Sequence, residues 1–148
     1  MTAQQIQPLF KSTKTQGTNR VLMPAYVQKQ AILDFIQSEI AILEYNWDGY
    51  GASPIEESVL TNSVFLIENL PNNCVHLLQK ENILPNPNGT LSFEWSKNGN
   101  ELFLEIGNNY ATYYCKKGEI IKEINNKFIL LNSLEFRQFV KDLKSCLI

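Results

Sequence analysis

Leu91-Ser92-Phe93-Glu94-Trp95-Ser96-Lys97-Asn98-Gly99-Asn100-Glu101-Leu102-Phe103-Leu104-Glu105-Ile106 decides the fold. Leu91, Phe93 and Trp95 alternate with Ser92, Glu94 and Ser96. Leu102, Leu104 and Ile106 alternate with Glu101, Phe103 and Glu105. A strand turns successive side chains to opposite faces, so each run reads as a half-buried strand. Asn98-Gly99 between them is a hairpin signal, because the favoured two-residue turn needs φ > 0 at both positions. The same pattern extends in both directions. Upstream, Asn88-Gly89 is a further hairpin signal, and Ile83-Leu84-Pro85 reads as a short edge strand, since Pro cannot donate to a central ladder. Downstream, Gly107-Asn108-Asn109 turns the chain and Tyr110 to Cys115 forms another strand. Lys117-Gly118 turns it again, and Ile120, Ile121 and Ile124 mark a last strand. Short strands joined by Gly/Asn turns make an antiparallel meander of four or five strands.

Helical periods flank the meander. Ile32, Ile36, Ile40, Leu43 and Trp47 recur at spacings of three and four, widened by Leu33 and Phe35, which predicts an amphipathic helix over about Tyr26 to Tyr45. Gly49 is placed to stop it. Ser53-Pro54-Ile55-Glu56 has the form of a capping box with Pro at the first helical position. It opens a second helix whose apolar face is Val59, Leu60, Val64, Leu66, Ile67 and Leu70, closed by Pro71-Asn72-Asn73. Val75 to Leu78 is a short apolar patch, either one more helical turn or a loop plug. Asn132-Ser133-Leu134-Glu135 is a second capping box. It starts a final helix over Ser133 to Leu147 with Leu134, Phe136, Phe139, Val140, Leu143 and Leu147 as its stripe. The expected architecture is α+β, with two N-terminal helices, the meander, and a C-terminal helix packed on one sheet face.

The 148 residues suffice for one domain with a sizeable core. Residues 1–25 are polar and rich in Gln, Thr, Ser and Lys. They read as an arm ahead of a single domain at 26–148, with Ile6, Leu9 and Phe10 as possible anchors. The net charge of −2 indicates neither a strongly basic nucleic-acid binder nor a polyanion mimic. Charge is unevenly spread: Lys11, Lys14, Arg20 and Lys29 precede the first acid, Asp34. A basic arm on an acidic body either lies on that body or meets an acidic partner.

Cys74, Cys115 and Cys146 form no CxxC pair. An odd number without a secretory leader predicts reduced thiols buried as small core residues in a cytosolic protein. No apolar run approaches the roughly 18–20 residues that span a bilayer. His76 is the sole histidine and has no second ligand at usable spacing, so no metal site is expected, and no cofactor motif occurs. Glu94, Glu101 and Glu105 read as the wet face of the sheet rather than a cation site. Tyr110, Tyr113 and Tyr114 could stack bases, but two arginines and an acidic sheet give little attraction for phosphate.

The densest segment is Asn46-Trp47-Asp48-Gly49-Tyr50-Gly51-Ala52-Ser53-Pro54-Ile55, between the two helices. Read structurally, Gly49 and Gly51 supply φ > 0 for a tight corner. Trp47 fills the corner core, and Asp48 accepts bonds from turn amides or from the Trp47 or Tyr50 side chain. Read functionally, Trp47, Asp48 and Tyr50 form a recognition surface, because Trp and Tyr on a rigid loop bind at low entropic cost. Catalysis by Asp48 would need a partner acid, base or metal, and the sequence places none beside it. No catalytic residue is assigned.

Asn46-Trp47-Asp48-Gly49-Tyr50-Gly51-Ala52 with Pro54-Ile55, then Leu70-Pro71, then Pro87-Asn88-Gly89 with Glu94-Trp95, resembles a family of small bacterial proteins. That family has an N-W-D-G-x-G-A-x-P-I core and a later P-x-G…E-W strand. The resemblance covers about residues 40–106 and implies a place in a toxin–antitoxin or anti-phage defence locus. The expected function is a non-enzymatic protein-interaction domain, contacting its partner through Trp47, Asp48, Tyr50, Lys11, Lys14 and Arg20. The alternatives are a small enzyme or ligand-binding protein with a pocket near Trp47, Asp48 and Trp95, and a nucleic-acid regulator acting through the arm.

Overall fold

The computed structural model describes residues 23–128 and 132–147, with side chains at 23–121 and 132–147. The arm residues Lys11, Lys14 and Arg20, with Ile6, Leu9 and Phe10, lie outside that set. The first helix is α1, Ala25–Phe35, continued by a π-helical turn at Ile36–Ile40. Next come α2 at Glu57–Asn69 and a single turn α3 at Asn72–Val75. The sheet strands are β1 at Ile83–Pro85, β2 at Leu91–Lys97, β3 at Asn100–Ile106, β4 at Ala111–Lys117 and β5 at Ile120–Phe128. Helix α4, Ser133–Leu147, closes the described fold.

The strands lie in the order β1-β2-β3-β4-β5, every pair antiparallel, so the expected meander is present with five strands. Asn98 and Gly99 both take positive φ, 54° and 82°, as a two-residue hairpin requires. The register pairs Phe93 with Leu104 and Trp95 with Leu102, while Leu102 faces Cys115 and Leu104 faces Tyr113. One sheet face is therefore continuously apolar, and Leu91, Phe93, Trp95, Leu104 and Ile106 are all at most 1% exposed. The described helices pack on that face. Phe139 of α4 packs edge-on against Trp95 and Tyr113 at 6.1 and 5.0 Å between ring centroids, and Phe136 meets Phe65 of α2 at 5.4 Å. The opposite face carries Glu94, Glu101 and Glu105 with a stacked Phe103–Tyr114 pair at 4.9 Å.

Several local expectations are revised. The first helix ends at Ile40, not near Tyr45. The Ala41 amide bonds back five residues to the Ile36 carbonyl at 2.8 Å, and this wide turn keeps both Ile36 and Ile40 buried while ending the ladder. The Ser53–Glu56 capping box does not form. Glu56 is extended at ψ 147° with no side-chain cap, and α2 begins only at Glu57. The Ser53 amide donates instead to the Pro87 carbonyl at 2.8 Å and the Glu56 amide to the Gly89 carbonyl at 3.2 Å. Those bonds tie the segment to the β1–β2 loop. At the other helix the cap is formed: Asn132 Oδ1 accepts from the Leu134 and Glu135 amides at 3.0 and 3.1 Å. Leu134, however, is 70% exposed and lies off the packed stripe.

The cysteines also depart from expectation. Cys115 on β4 and Cys146 on α4 are joined by a disulfide, with Cα atoms 6.0 Å apart, and only Cys74 is free. Phe139, packed on Trp95 and Tyr113, lays α4 across the strands, so two cysteines 31 residues apart become neighbours. No described helix is long and apolar enough to cross a membrane.

Candidate functional site

The segment 46–54 is built almost wholly from hydrogen bonds that begin and end within it. Asn46 takes φ 69°, Gly49 φ 81° and Gly51 φ 87°, so three of six successive residues lie in the left-handed region. Asn is among the few residues with a side chain that tolerate it, which explains its place beside the two glycines. The Asn46 amide donates to the Ala52 carbonyl at 2.7 Å and closes the loop. Asn46 Oδ1 accepts from the Gly51 amide at 2.7 Å. Asp48 Oδ1 accepts from the Tyr50 amide at 2.8 Å and the Ala52 amide at 3.1 Å. The Trp47 indole N–H donates to the Ser53 carbonyl at 2.7 Å. The amides of Asn46, Gly49, Tyr50, Gly51 and Ala52 thus all find acceptors within the loop.

That geometry separates the expected site residues by role. Asp48 is a bracing carboxylate whose Oδ1 is shared by two backbone amides. Trp47 is half-buried and lies past the end of α1, so it does not join the core as expected, whereas Ile36, Ile40 and Ile55 do. Tyr50 is the displayed group, 93% exposed at the tip. Tyr45 and Ile42, in the same connection between the two helices, are 71% and 66% exposed. The Tyr45 hydroxyl reaches back over the loop: a Cβ added at Gly51 would lie 3.7 Å from it. Tyr45 and Ile42 are the functional candidates that the sequence reading missed. Assigning the helix through Tyr45 gave both residues to a helix, and the early stop at Ile40 moves them onto the corner.

The corner is fixed to the sheet from below. Besides the Ser53 and Glu56 amides on Pro87 and Gly89, a Cβ at Gly89 would stand 3.1 Å from the Pro54 carbonyl oxygen. The two sequence pieces Asn46–Ile55 and Pro87–Gly89 are therefore one structural unit. Trp95, by contrast, is fully buried beneath the sheet, with its indole N–H on the Cys74 carbonyl at 3.1 Å. One described cleft, of about 260 Å³, lies at the start of α1 between Gln28, Ala31, Ile32, Gln79, Lys80 and Glu81.

Among the described residues no three His, Cys, Asp or Glu side chains gather as metal ligands would. Tyr113 points into the core and donates to Asp142 Oδ2 at 2.5 Å, so the three tyrosines near β4 do not form one stacking platform. Burial pushes the Cys74 thiol above its usual range, offset in part by the Lys144 charge. Such a thiol is inert rather than nucleophilic. Comparison with protein-family models, with curated proteins and with solved structures finds no match.

Proposed function

We propose that this chain is a protein-interaction domain without catalytic activity, and that the corner at 42–50 is its contact surface. The observation that carries the reading is Tyr50, 93% exposed on a loop whose backbone is braced by Asn46, Asp48 and Trp47. A large aromatic held out by a pre-ordered loop loses little entropy on binding, and Tyr and Trp are the residues most enriched among binding hot spots. A role as an antitoxin, immunity or anti-phage defence component follows if the N-W-D-G-x-G-A-x-P-I resemblance holds. A cytosolic setting belongs to the same reading, and the Cys115–Cys146 bridge weighs against it, since disulfides persist in oxidising compartments.

The enzyme alternative loses support where it was most specific. Asp48 Oδ1 is shared by two backbone amides, and the cleft of about 260 Å³ lies at the start of α1. The experiment is affinity capture from the native host with the full chain and its Tyr50→Ala variant, read by mass spectrometry. A specific protein captured by the wild type and lost with Tyr50→Ala is the expected result. Equal capture by both forms would end the assignment of this surface.

A further inference from the structure

The exposed aromatics of the corner belong to an acidic stretch of the chain. Between Lys29 and Lys80 the chain has seven Asp or Glu residues and neither Lys nor Arg. Two of these acids, Glu39 and Glu44, are exposed on either side of Ile42 and immediately before Tyr45. Neither is engaged by another described residue. Helix α1 also ends here, and the unpaired carbonyls of a helix C-terminus add partial negative charge. Aromatic ring faces carry negative quadrupole density and attract Lys and Arg.

Resting on the interaction reading above, we propose that this corner takes a Lys/Arg-bearing segment of a partner protein. A guanidinium stacks on the exposed ring of Tyr50 or Tyr45, its aliphatic stem covers Ile42, and Glu39 and Glu44 receive neighbouring cations. Asp48 is committed to the loop backbone, so charge recognition falls to these two glutamates. An uncharged partner would bury both carboxylates without compensation, and a phosphate-bearing one would be repelled by them. Charge complementarity therefore selects a cationic polypeptide over an apolar peptide or a nucleic acid.

The test uses the full chain and three fluorescein-labelled 12-residue peptides that differ only at four positions, filled by Arg and Lys, by Gln or by Glu. Fluorescence anisotropy at low and at physiological salt reads the affinity. The cationic peptide is expected to bind at least ten-fold tighter than the Gln peptide, with the Glu peptide weaker still. Tyr45→Ala with Tyr50→Ala should weaken it about ten-fold, in line with loss of aromatic hot spots. Glu39→Gln with Glu44→Gln should weaken it about five-fold and flatten its salt dependence. Glu119→Gln, an exposed acid on the β4–β5 turn, should change nothing. All five side chains are exposed, so melting curves should match the wild type and confirm folding. Equal binding of the Gln or Glu peptide, no binding of the cationic one, or an equal loss with Glu119→Gln would each overturn the proposal. Should Tyr50→Ala abolish capture of a native partner while the cationic peptide fails to bind, the interaction reading stands and the cationic partner falls.

Discussion

Replacing Gly89 by Ala should cost the fold more than replacing Gly49 by Ala, although both glycines share the same unusual backbone. Gly49 has φ 81° and Gly89 φ 91°, and any L side chain there is strained by about 1–2 kcal/mol. Gly49 has nothing within 4 Å of a new Cβ, so strain is the whole of its penalty. At Gly89 the Cβ would meet the Pro54 carbonyl oxygen at 3.1 Å and Glu56 Cγ at 3.4 Å. The Glu56 side chain can swing aside, but the Pro54 oxygen is backbone and must move with its chain. Moving it loosens the Glu56-to-Gly89 bond of 3.2 Å and strains the neighbouring Ser53-to-Pro87 bond of 2.8 Å. Each is worth about 1 kcal/mol net. Gly89→Ala should therefore destabilise by about 2–4 kcal/mol against about 1–2 for Gly49→Ala. Urea unfolding at equilibrium measures both, and for a chain of this length 1 kcal/mol moves Tm by about 3 °C. Equal losses in the two variants would refute the claim that the β1–β2 loop is pressed against Pro54 and Glu56.

Four further outcomes follow from described contacts. Ser63 Oγ is fully buried and has no hydrogen-bond partner among the described residues, so Ser63→Ala should leave stability unchanged or raise it by up to about 1 kcal/mol; a clear drop in the urea midpoint would reveal a partner. Denatured without reductant, the protein should titrate one thiol with Ellman's reagent, and three after reduction. Cys146→Ala should cost about 2–4 kcal/mol, as expected for a cross-link spanning 31 residues. Trp47→Phe should cost about 1 kcal/mol, the indole bond to Ser53, whereas Trp95→Phe should cost about 2–4 by leaving a core void and the Cys74 carbonyl unpaired; acrylamide quenching of the two single-Trp forms should differ in the same order. Cys74 holds its proton more tightly folded than unfolded, so its contribution to stability is full below the ordinary thiol pKa of about 8.5 and is lost as pH rises through the higher folded value. Iodoacetamide should label native Cys74 slowly at pH 8.5 and rapidly in urea.

The meander was readable because its information is local. Alternation in Leu91–Trp95 and Leu102–Ile106 fixes which face is buried, and Asn98-Gly99 fixes the register between them. Asn132 was readable for the same reason: its side chain finds amides two and three residues on. Ser53 was not, because the groups competing for its amide and for that of Glu56 belong to Pro87 and Gly89, far away in sequence. A local capping pattern and a tertiary bond sought the same donors, and the tertiary bond won. The Cys115–Cys146 pairing was hidden likewise, since spacing along the chain says nothing of how α4 lies over β4. At the corner, the backbone needs of Gly49 and Gly51 and the acceptor role of Asp48 were legible from residue type. The display of Tyr45 and Ile42 was not, because it depends on a helix ending one turn early through a five-residue hydrogen bond.

The disulfide has a topological side as well. It closes a covalent ring that runs from Cys115 through β5 to Cys146 near the end of α4. A single proteolytic nick inside that ring opens it without releasing either piece. The severed halves would migrate as one band until a reductant is added, then separate into two. A cut at the corner, outside the ring, would release a fragment under either condition once the protein is denatured. Gel mobility with and without reductant can thus report where a protease enters this molecule.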